Sequence, residues 1–138
     1  MADLSPRPVP APDELTQPFW DATAAHRLEI QRCTACGYYN HPPKRLCDQC
    51  TSPDLGFVPV SGRGQVYSYT VMRQTSIAGF EDKVPYTTLL VELEEQPQLL
   101  LVSTVPGDGA GIAIGQSTEL WWEPIEEGFV LPQFRPIG

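Results

Sequence analysis

Cys33-Thr34-Ala35-Cys36 and Cys47-Asp48-Gln49-Cys50 decide how this chain folds, and ten residues separate the two stretches. These four cysteines are all that the sequence contains. Two Cys-x-x-Cys pairs at this separation are typical of one tetrahedral zinc site, in which each pair forms a tight turn that presents two thiolates. Gly37, directly after the first pair, suits the backbone of such a turn. Two disulfides or free core thiols are the alternatives.

The composition indicates one ordinary domain or two small ones. The chain has 138 residues, of which 41% are hydrophobic and 19% charged. The first residues lack the charged and apolar regions of a secretory signal, and no apolar run approaches the ~20 residues of a membrane span. We therefore expect a cytoplasmic protein without a membrane partner, in a compartment where thiols stay reduced and available to zinc.

The net charge of −8 falls entirely in the second half of the chain. Residues 1–73 carry equal numbers of basic and acidic groups, whereas residues 74–138 carry two basic groups against ten acids. An acidic half repels a phosphate backbone, so we expect no nucleic-acid partner. The alternative is a single-stranded nucleic-acid-binding protein of the zinc-ribbon and OB-fold type. The bases of a bound single strand would stack on aromatic residues of the protein. The candidates are Tyr67, Tyr69, Trp121 and Trp122.

The hydrophobic pattern divides the chain into three parts. Residues 1–15 form a proline-rich arm, residues 16–55 hold a helix and the four-cysteine zinc ribbon, and residues 56–138 form an OB-fold. The helix is predicted over residues 17–28, with Thr16 as its cap and Pro18 in its first turn.

From Phe57 onward the sequence predicts strands. Phe57 to Val60 leads into the turn Ser61-Gly62-Arg63-Gly64, and five longer stretches follow. They are Gln65–Met72, Tyr86–Leu93, Gln98–Val105, Glu119–Glu123 and Phe129–Phe134. Five strands in so short a segment favour a small OB-type barrel over a sandwich. Pro132 predicts that the last strand lies at an edge. The predicted fold class is mainly β, with an N-terminal helix, a rubredoxin-like zinc ribbon and a five-stranded OB-fold barrel.

The residue types argue against catalysis by this chain. One structural site takes all four thiols, and a shell of four cysteines leaves no open position on the metal. His26 and His41 lie in no recognisable nucleophile or base motif, and four thiolates make His41 unnecessary as a ligand. A rubredoxin-like redox protein, with iron in the same sulfurs, is a further alternative.

The order of these motifs resembles a family of small proteins that pair a rubredoxin-like zinc ribbon with an OB-fold and act as companions of thiolase-superfamily enzymes on acyl-CoA. The resemblance covers roughly residues 15–136. The matching stretches are Phe19-Trp20, Leu28–Gly37, Pro42-Pro43, Leu46–Cys50, Ser61–Val71, Pro85-Tyr86 and Leu131–Pro136.

The resemblance implies a non-catalytic subunit with zinc at Cys33, Cys36, Cys47 and Cys50. Its partner would be a thiolase, a hydroxymethylglutaryl-CoA synthase or a lipid-transfer-protein-like aldolase of steroid side-chain degradation. The subunit would hold the complex together and border the path of acyl-CoA. A charged or aromatic side chain could make these contacts, and the candidates are Arg63, Arg32, Lys44, Arg45, Phe19 and Trp20.

Overall fold

Over the residues that the structure describes, the architecture is mainly β, with one short helix ahead of two antiparallel sheets. A computed structural model describes residues 9–75, 77, 79–80, 82–126 and 128–137. The elements are α1 (Gln17–Ala24), β1 (Glu29–Cys33), β2 (Tyr39–Asn40), β3 (Leu55–Pro59), β4 (Gly64–Met72), β5 (Tyr86–Leu93), β6 (Leu100–Pro106), β7 (Ser117–Glu126) and β8 (Phe129–Pro136). The predicted fold class, a helix and a zinc ribbon followed by a five-stranded OB-like domain, is confirmed.

α1 ends four residues before the end predicted for it, at Ala24. His26 adopts a left-handed conformation with a φ of 58°. The Arg27 N–H then donates to the Ala22 carbonyl oxygen at 2.9 Å. This arrangement is a common way to satisfy the last carbonyl groups of a helix, and it turns the chain into β1.

The predicted capping of α1 by the Thr16 side chain is wrong, because the Thr16 hydroxyl makes no cap hydrogen bond. The Asp13 carboxylate instead accepts the N–H groups of Leu15 and Thr16, each at 2.9 Å, in the turn before the helix. Pro18 lies in the first helical turn as predicted. Residues 1–8 of the predicted arm lie outside the described residues.

The first sheet belongs to the ribbon and has the order β2-β1-β3. The register of β1 with β3 places Ile30 opposite Val58. The stretch from Phe57, which the sequence pattern placed with the barrel, therefore pairs with a ribbon strand through Pro59. The domain division between residues 55 and 56 stays a prediction. The strand at that border, β3, pairs with β1 of the ribbon and, among the described residues, not with the barrel.

The second sheet has the order β6-β5-β4-β7-β8. β4 pairs with β5 along its whole length, but with β7 only at the pairs Gly64–Thr118 and Gln65–Ser117. β8 lies at the edge, with Pro132 opposite Trp122. A proline is tolerated there because an edge strand can leave one N–H position unused.

Side chains join β6 to β8 and close the barrel. The Ser103 hydroxyl accepts the Phe134 N–H at 2.7 Å and donates to Gln133 Oε1 at 2.6 Å. Gln133 Oε1 also accepts the Thr104 N–H at 3.0 Å. Among the described residues these bonds take the place of a backbone ladder between the two strands. We call this contact the β6–β8 seam.

One hydrophobic core serves the helix, the ribbon and the barrel. Its buried members are Phe19, Leu28, Ile30, Leu89, Val91, Leu93, Leu99, Leu101 and Phe134. Residues from α1 and β1 thus fill the same core as residues from β5, β6 and β8. Burial of this shared apolar surface holds the ribbon against the barrel.

Candidate metal centre and flanking surfaces

The four cysteine sulfurs form one cluster, within 4.8 Å of one another. The Sγ atoms of Cys33 and Cys50 are 3.6 Å apart, and those of Cys36 and Cys47 are 3.7 Å apart. Four sulfurs around a tetrahedral Zn²⁺ lie about 3.8 Å apart, because each Zn–S bond is about 2.3 Å. The donor set and its spacing therefore fit a tetrahedral metal, and all four cysteines are free rather than disulfide-bonded.

The first Cys-x-x-Cys turn is built as predicted. Gly37 has a φ of 83°, and its N–H donates to the Cys33 carbonyl oxygen at 2.9 Å. The Cys36 N–H points at the Cys33 sulfur, with an N···S distance of 3.4 Å. The left-handed backbone at Gly37 is why a glycine follows the pair.

The second turn repeats this geometry without a glycine. Thr51 has a φ of 62°, and its N–H donates to the Cys47 carbonyl oxygen at 2.9 Å. The Gln49 N–H lies 3.4 Å from the Cys47 sulfur. Sequence reasoning missed Thr51, because threonine is not a residue that indicates a left-handed turn.

The thiol pKa values fall into two groups, those lowered by backbone N–H groups and those raised by neighbouring thiols and burial. The Cys36 N–H lowers the pKa of Cys33. Burial acts to raise the pKa of Cys47, but the N–H groups of Cys50 and Gln49 lower it to about 6. The Ser52 N–H acts to lower the pKa of Cys50, yet the neighbouring thiols and burial raise it to about 12. Crowded thiols cannot all ionise without a cation, so the cluster has the electrostatics of a metal site.

Two buried amides hold the segments that carry the second pair. The Gln31 carboxamide donates to the Lys44 carbonyl oxygen and accepts the Lys44 N–H, both at 2.8 Å. The Asn40 carboxamide oxygen accepts the Asp48 N–H at 3.0 Å. Sequence reasoning missed Gln31 and Asn40, because amides in ribbon strands give no signal of what they contact.

His41 lies beside the helix and is not part of the sulfur cluster. Its ring packs on Phe19, with 5.4 Å between the ring centroids. Burial, together with the nearby Lys44 charge, lowers the pKa of His41 to about 4. Its buried Nδ1 has no hydrogen-bond partner among the described residues.

The structure disperses the basic candidates for acyl-CoA or partner contact. Arg63 pairs with Glu94 on the barrel, and Arg45 pairs with Glu14 ahead of α1, each at 2.7 Å. Arg32 donates to the Gly37 carbonyl oxygen at 2.9 Å and lies over the Tyr39 ring. The Lys44 backbone is held by Gln31, as described above. The contact roles of these residues stay predictions.

The two aromatic candidates in α1 differ in exposure. Phe19 is buried in the shared core and packs edge-on against Trp20, at 5.0 Å between centroids. Trp20 is half-buried and also meets Phe129. Trp20 is thus the one of the pair that reaches a surface.

Trp20 lines an apolar groove of about 500 Å³ between α1, the proline pair and the β6–β8 seam. Its other walls include Pro42, Val102, Leu131 and Pro132. Val102 is 64% exposed and, with Trp20 and Leu131, contributes to a contiguous apolar surface. We call this surface the apolar groove.

A second groove, of about 920 Å³, runs along the rim of the barrel. The turn from Ser61 to Gly64 forms one wall, and the end of β5 and the start of β7 form the others. Arg63 and Thr118 both line it. We call this surface the rim groove.

Trp121, Trp122 and Tyr67, three of the four aromatic residues named for base stacking, have partners within the chain. His26 stacks on Trp122 with 5.4 Å between centroids, and the Arg135 guanidinium lies over Trp121. Tyr67 and Tyr69, each 37% exposed, lie on β4. The Tyr67 hydroxyl accepts a hydrogen bond from the Gln98 side chain. The four rings are thus spread over two strands that meet only at the start of β4.

The four-thiol ribbon and the five-stranded barrel define a zinc-ribbon and OB-fold protein. Two family models agree: the ChsH2 rubredoxin-like zinc ribbon domain matches residues 20–56, and the ChsH2 C-terminal OB-fold domain matches residues 57–123. The chain therefore belongs to the ChsH2 family.

Two similar proteins are named as hydratase subunits. The chain is 40% identical over 136 residues to a probable enoyl-CoA hydratase alpha subunit of Thermomonospora curvata, covering 96% of this chain and 40% of that protein. It is 36% identical over 145 residues to the 3-oxo-4,17-pregnadiene-20-carboxyl-CoA hydratase alpha subunit of Mycobacterium tuberculosis, covering 88% and 45%. The chain spans less than half the length of both relatives.

Two further matches extend over most of both chains. A DUF35 domain-containing scaffold protein of Methanothermobacter thermautotrophicus is 30% identical over 103 residues, covering 74% of this chain and 76% of that protein. A chain of the solved structure called Ltp2-ChsH2(DUF35) aldolase is 38% identical, with a TM-score of 0.81, and the match covers 93% of this chain and 98% of that one.

None of the helical residues that the structure describes forms a segment long and apolar enough to cross a bilayer.

Proposed function

We propose that this chain is a non-catalytic accessory subunit of a thiolase-superfamily enzyme of the lipid-transfer-protein type, acting on acyl-CoA. The observation that carries the proposal is the near-complete match to a chain of an Ltp2-ChsH2 aldolase. A relative named as a scaffold protein supports the same role. Steroid side-chain degradation is the setting we favour, because another relative is named for a pregnadiene carboxyl-CoA substrate.

We further propose that the metal is zinc and that its role is structural. Cys33, Cys36, Cys47 and Cys50 would hold it. Zinc bound by four thiolates supplies folding free energy to a ribbon too small to fold on its own hydrophobic core. Two buried amides and two left-handed turns hold the backbone segments that carry the four thiols.

Where acyl-CoA borders this chain, we propose that it does so along the apolar groove. An acyl-CoA has an apolar tail and charged phosphates, so it requires an apolar surface with cations near one end. Trp20, Val102 and Leu131 supply the surface. Lys44 and Arg45 directly follow Pro43, which lines the groove. Phosphate could displace Glu14 from Arg45 at little cost, because that ion pair is highly exposed.

The decisive experiment is co-expression with a thiolase-like enzyme of the lipid-transfer-protein type from the same organism. We expect one complex in gel filtration, about one zinc per copy of this chain, and enzyme turnover only in the complex. Trp20→Ala should raise the KM for acyl-CoA in that complex, whereas the exposed control Asp108→Asn should not. Turnover by the isolated chain, or an enzyme that is fully active and monodisperse without it, would disprove the accessory role.

A further inference from the structure

The rim groove is acidic. Its described lining residues include one cation, Arg63, against three carboxylates, Glu92, Glu94 and Glu119. The low dielectric of the protein on one side of a groove strengthens such an excess of one charge. An anionic ligand would therefore be repelled from this surface, whereas a cation would be attracted.

Arg63, the cation among the described lining residues, already forms an ion pair with Glu94. The Arg63 guanidinium contacts both oxygens of Glu94, with Nε at 3.0 Å from each and a terminal nitrogen at 2.7 Å from one. The pairing lowers the pKa of Glu94 and raises that of Arg63, which agree in direction. Arg63 makes three contacts with Glu94, whereas Arg45 makes one with Glu14, so a phosphate would have to replace more contacts to reach Arg63.

The remaining carboxylates are less well compensated. Glu92 accepts only from neutral donors, the Gln65 side chain at 3.2 Å and the Gln98 N–H at 2.9 Å, among the described residues. Glu119 shares its charge with Arg135, at 2.7 Å on the exposed side of β7. Glu92 is thus the carboxylate with an unpaired negative charge at the groove.

Two buried oxygens lack hydrogen-bond partners among the described residues, one on the lining residue Thr118 and one on Glu95, which lies between the lining residues Glu94 and Gln96. Thr118 is 4% exposed and lines the groove, yet its Oγ1 has no partner among the described residues. Glu95 Oε1 also has no partner among the described residues, whereas Glu95 Oε2 accepts the Ser61 N–H at 2.7 Å. Buried polar atoms are normally satisfied, so these oxygens indicate a missing donor.

We propose that the rim groove receives a lysine or arginine side chain from a basic segment of the partner subunit. An ammonium or guanidinium carries several N–H donors and a positive charge. The donors would satisfy the unpartnered oxygens of Thr118 and Glu95, and the charge would compensate that of Glu92. The inference rests on the proposed function, because the partner supplies the segment. It assigns Arg63 to the wall of a protein-contact site rather than to CoA phosphate.

The test uses a short acetylated peptide, Gly-Lys-Gly-Arg-Gly amide, titrated into the full zinc-loaded chain and followed by amide NMR shifts. We expect saturable shifts confined to residues 61–65, 92–97 and 117–120, and none with a Gly-Glu-Gly-Glu-Gly control peptide. Binding should weaken roughly tenfold between low salt and physiological ionic strength, since the contact is electrostatic.

Thr118→Val separates a binding role from a structural one. The methyl group replaces a hydroxyl that has no partner, so the stability of the free chain should not fall. Peptide affinity should nevertheless drop several-fold, and Glu92→Gln should reduce it further. Asp82→Asn removes the same charge from the exposed loop before β5 and should leave affinity unchanged. Equal affinity in all four proteins, or shifts in the groove with CoA and not with the basic peptide, overturns the proposal.

Failure of this inference can be told from failure of the proposed function. A complex with the thiolase-like enzyme that keeps its affinity in Glu92→Gln and Thr118→Val overturns the groove assignment and leaves the accessory role in place. Groove shifts with the basic peptide but no complex with the enzyme overturn the accessory role and the partner as source of the segment, and they retain only the groove as a site for a basic side chain.

Discussion

Gln96 and Tyr39, 57 positions apart, are joined by a reciprocal pair of hydrogen bonds. The Gln96 carboxamide accepts the Tyr39 N–H at 2.9 Å and donates to the Tyr39 carbonyl oxygen at 3.0 Å. Gln96 lies in the turn between β5 and β6, and Tyr39 begins β2 in the ribbon. A barrel side chain thus takes the place of a neighbouring strand for the ribbon backbone.

We expect Gln96→Leu to lower the free energy of unfolding by about 2 kcal/mol, because it leaves two partly buried backbone groups without partners. Urea unfolding of the zinc-loaded protein measures this loss. Gln65→Ala removes an exposed amide from β4 and should change stability by less than about 0.5 kcal/mol. Equal stability of the two variants would show that Tyr39 is satisfied by water.

The β6–β8 seam depends on one buried hydroxyl. Ser103→Ala should cost about 2 kcal/mol of unfolding free energy, because the buried Phe134 N–H and Gln133 lose a partner together. Thermal unfolding compared with that of Ser117→Ala, an exposed serine on β7, measures the effect. A Ser103→Ala melting curve that overlays the control would mean that the seam does not need this bond.

Gly64 is required by close packing at the start of β4. A Cβ there would lie 2.6 Å from the Glu92 carbonyl oxygen and 2.8 Å from Val91 Cγ1. Gly64→Ala should therefore destabilise the fold by about 2 kcal/mol. Gly56→Ala meets nothing within 4 Å and should be nearly neutral. Denaturant midpoints of the two variants, at equal zinc content, check the difference.

We expect the free energy of unfolding to depend on pH through His41, at pH values where the thiolates still hold the metal. Its pKa is about 4 in the folded protein and 6.5 as the ordinary value, so the unfolded chain binds more protons below pH 6.5. Stability therefore falls as pH falls, by about 0.8 kcal/mol between pH 7.5 and 6.0 from this residue.

Urea unfolding at the two pH values, with zinc content checked at each, measures this dependence. His41→Phe should remove the difference, and His26→Asn, which keeps a residue tolerant of the left-handed backbone, should retain it. A pH dependence that survives in His41→Phe would assign it to another group.

The sequence alone predicts the ribbon and the strands because both leave local patterns. Cysteine spacing determines the metal turns, and alternating apolar residues mark the long strands. The early end of α1 was not predicted, because a histidine indicates a left-handed helix end less strongly than a glycine does. The pairing of β3 with β1 was missed because strand partners are chosen by tertiary packing.

The surfaces around the site were less predictable than the site. Arg63 stood out between two glycines, but its partner Glu94 is 31 residues away. The roles of Gln96, Thr118 and Asn40 could not be predicted from the sequence. Each role depends on whether the side chain finds a hydrogen-bond partner elsewhere in the chain. Long-range hydrogen bonds between side chains and backbone leave no period in a sequence.

The common core of helix, ribbon and barrel limits how this protein can be recombined. Phe19 and Ile30 belong to the same buried cluster as Leu89, Val91 and Phe134, so a barrel excised after residue 56 would lose part of its core. A chimera that exchanges only one half with a relative would join surfaces that never evolved together. Functional swaps between relatives should therefore transfer both halves as one piece.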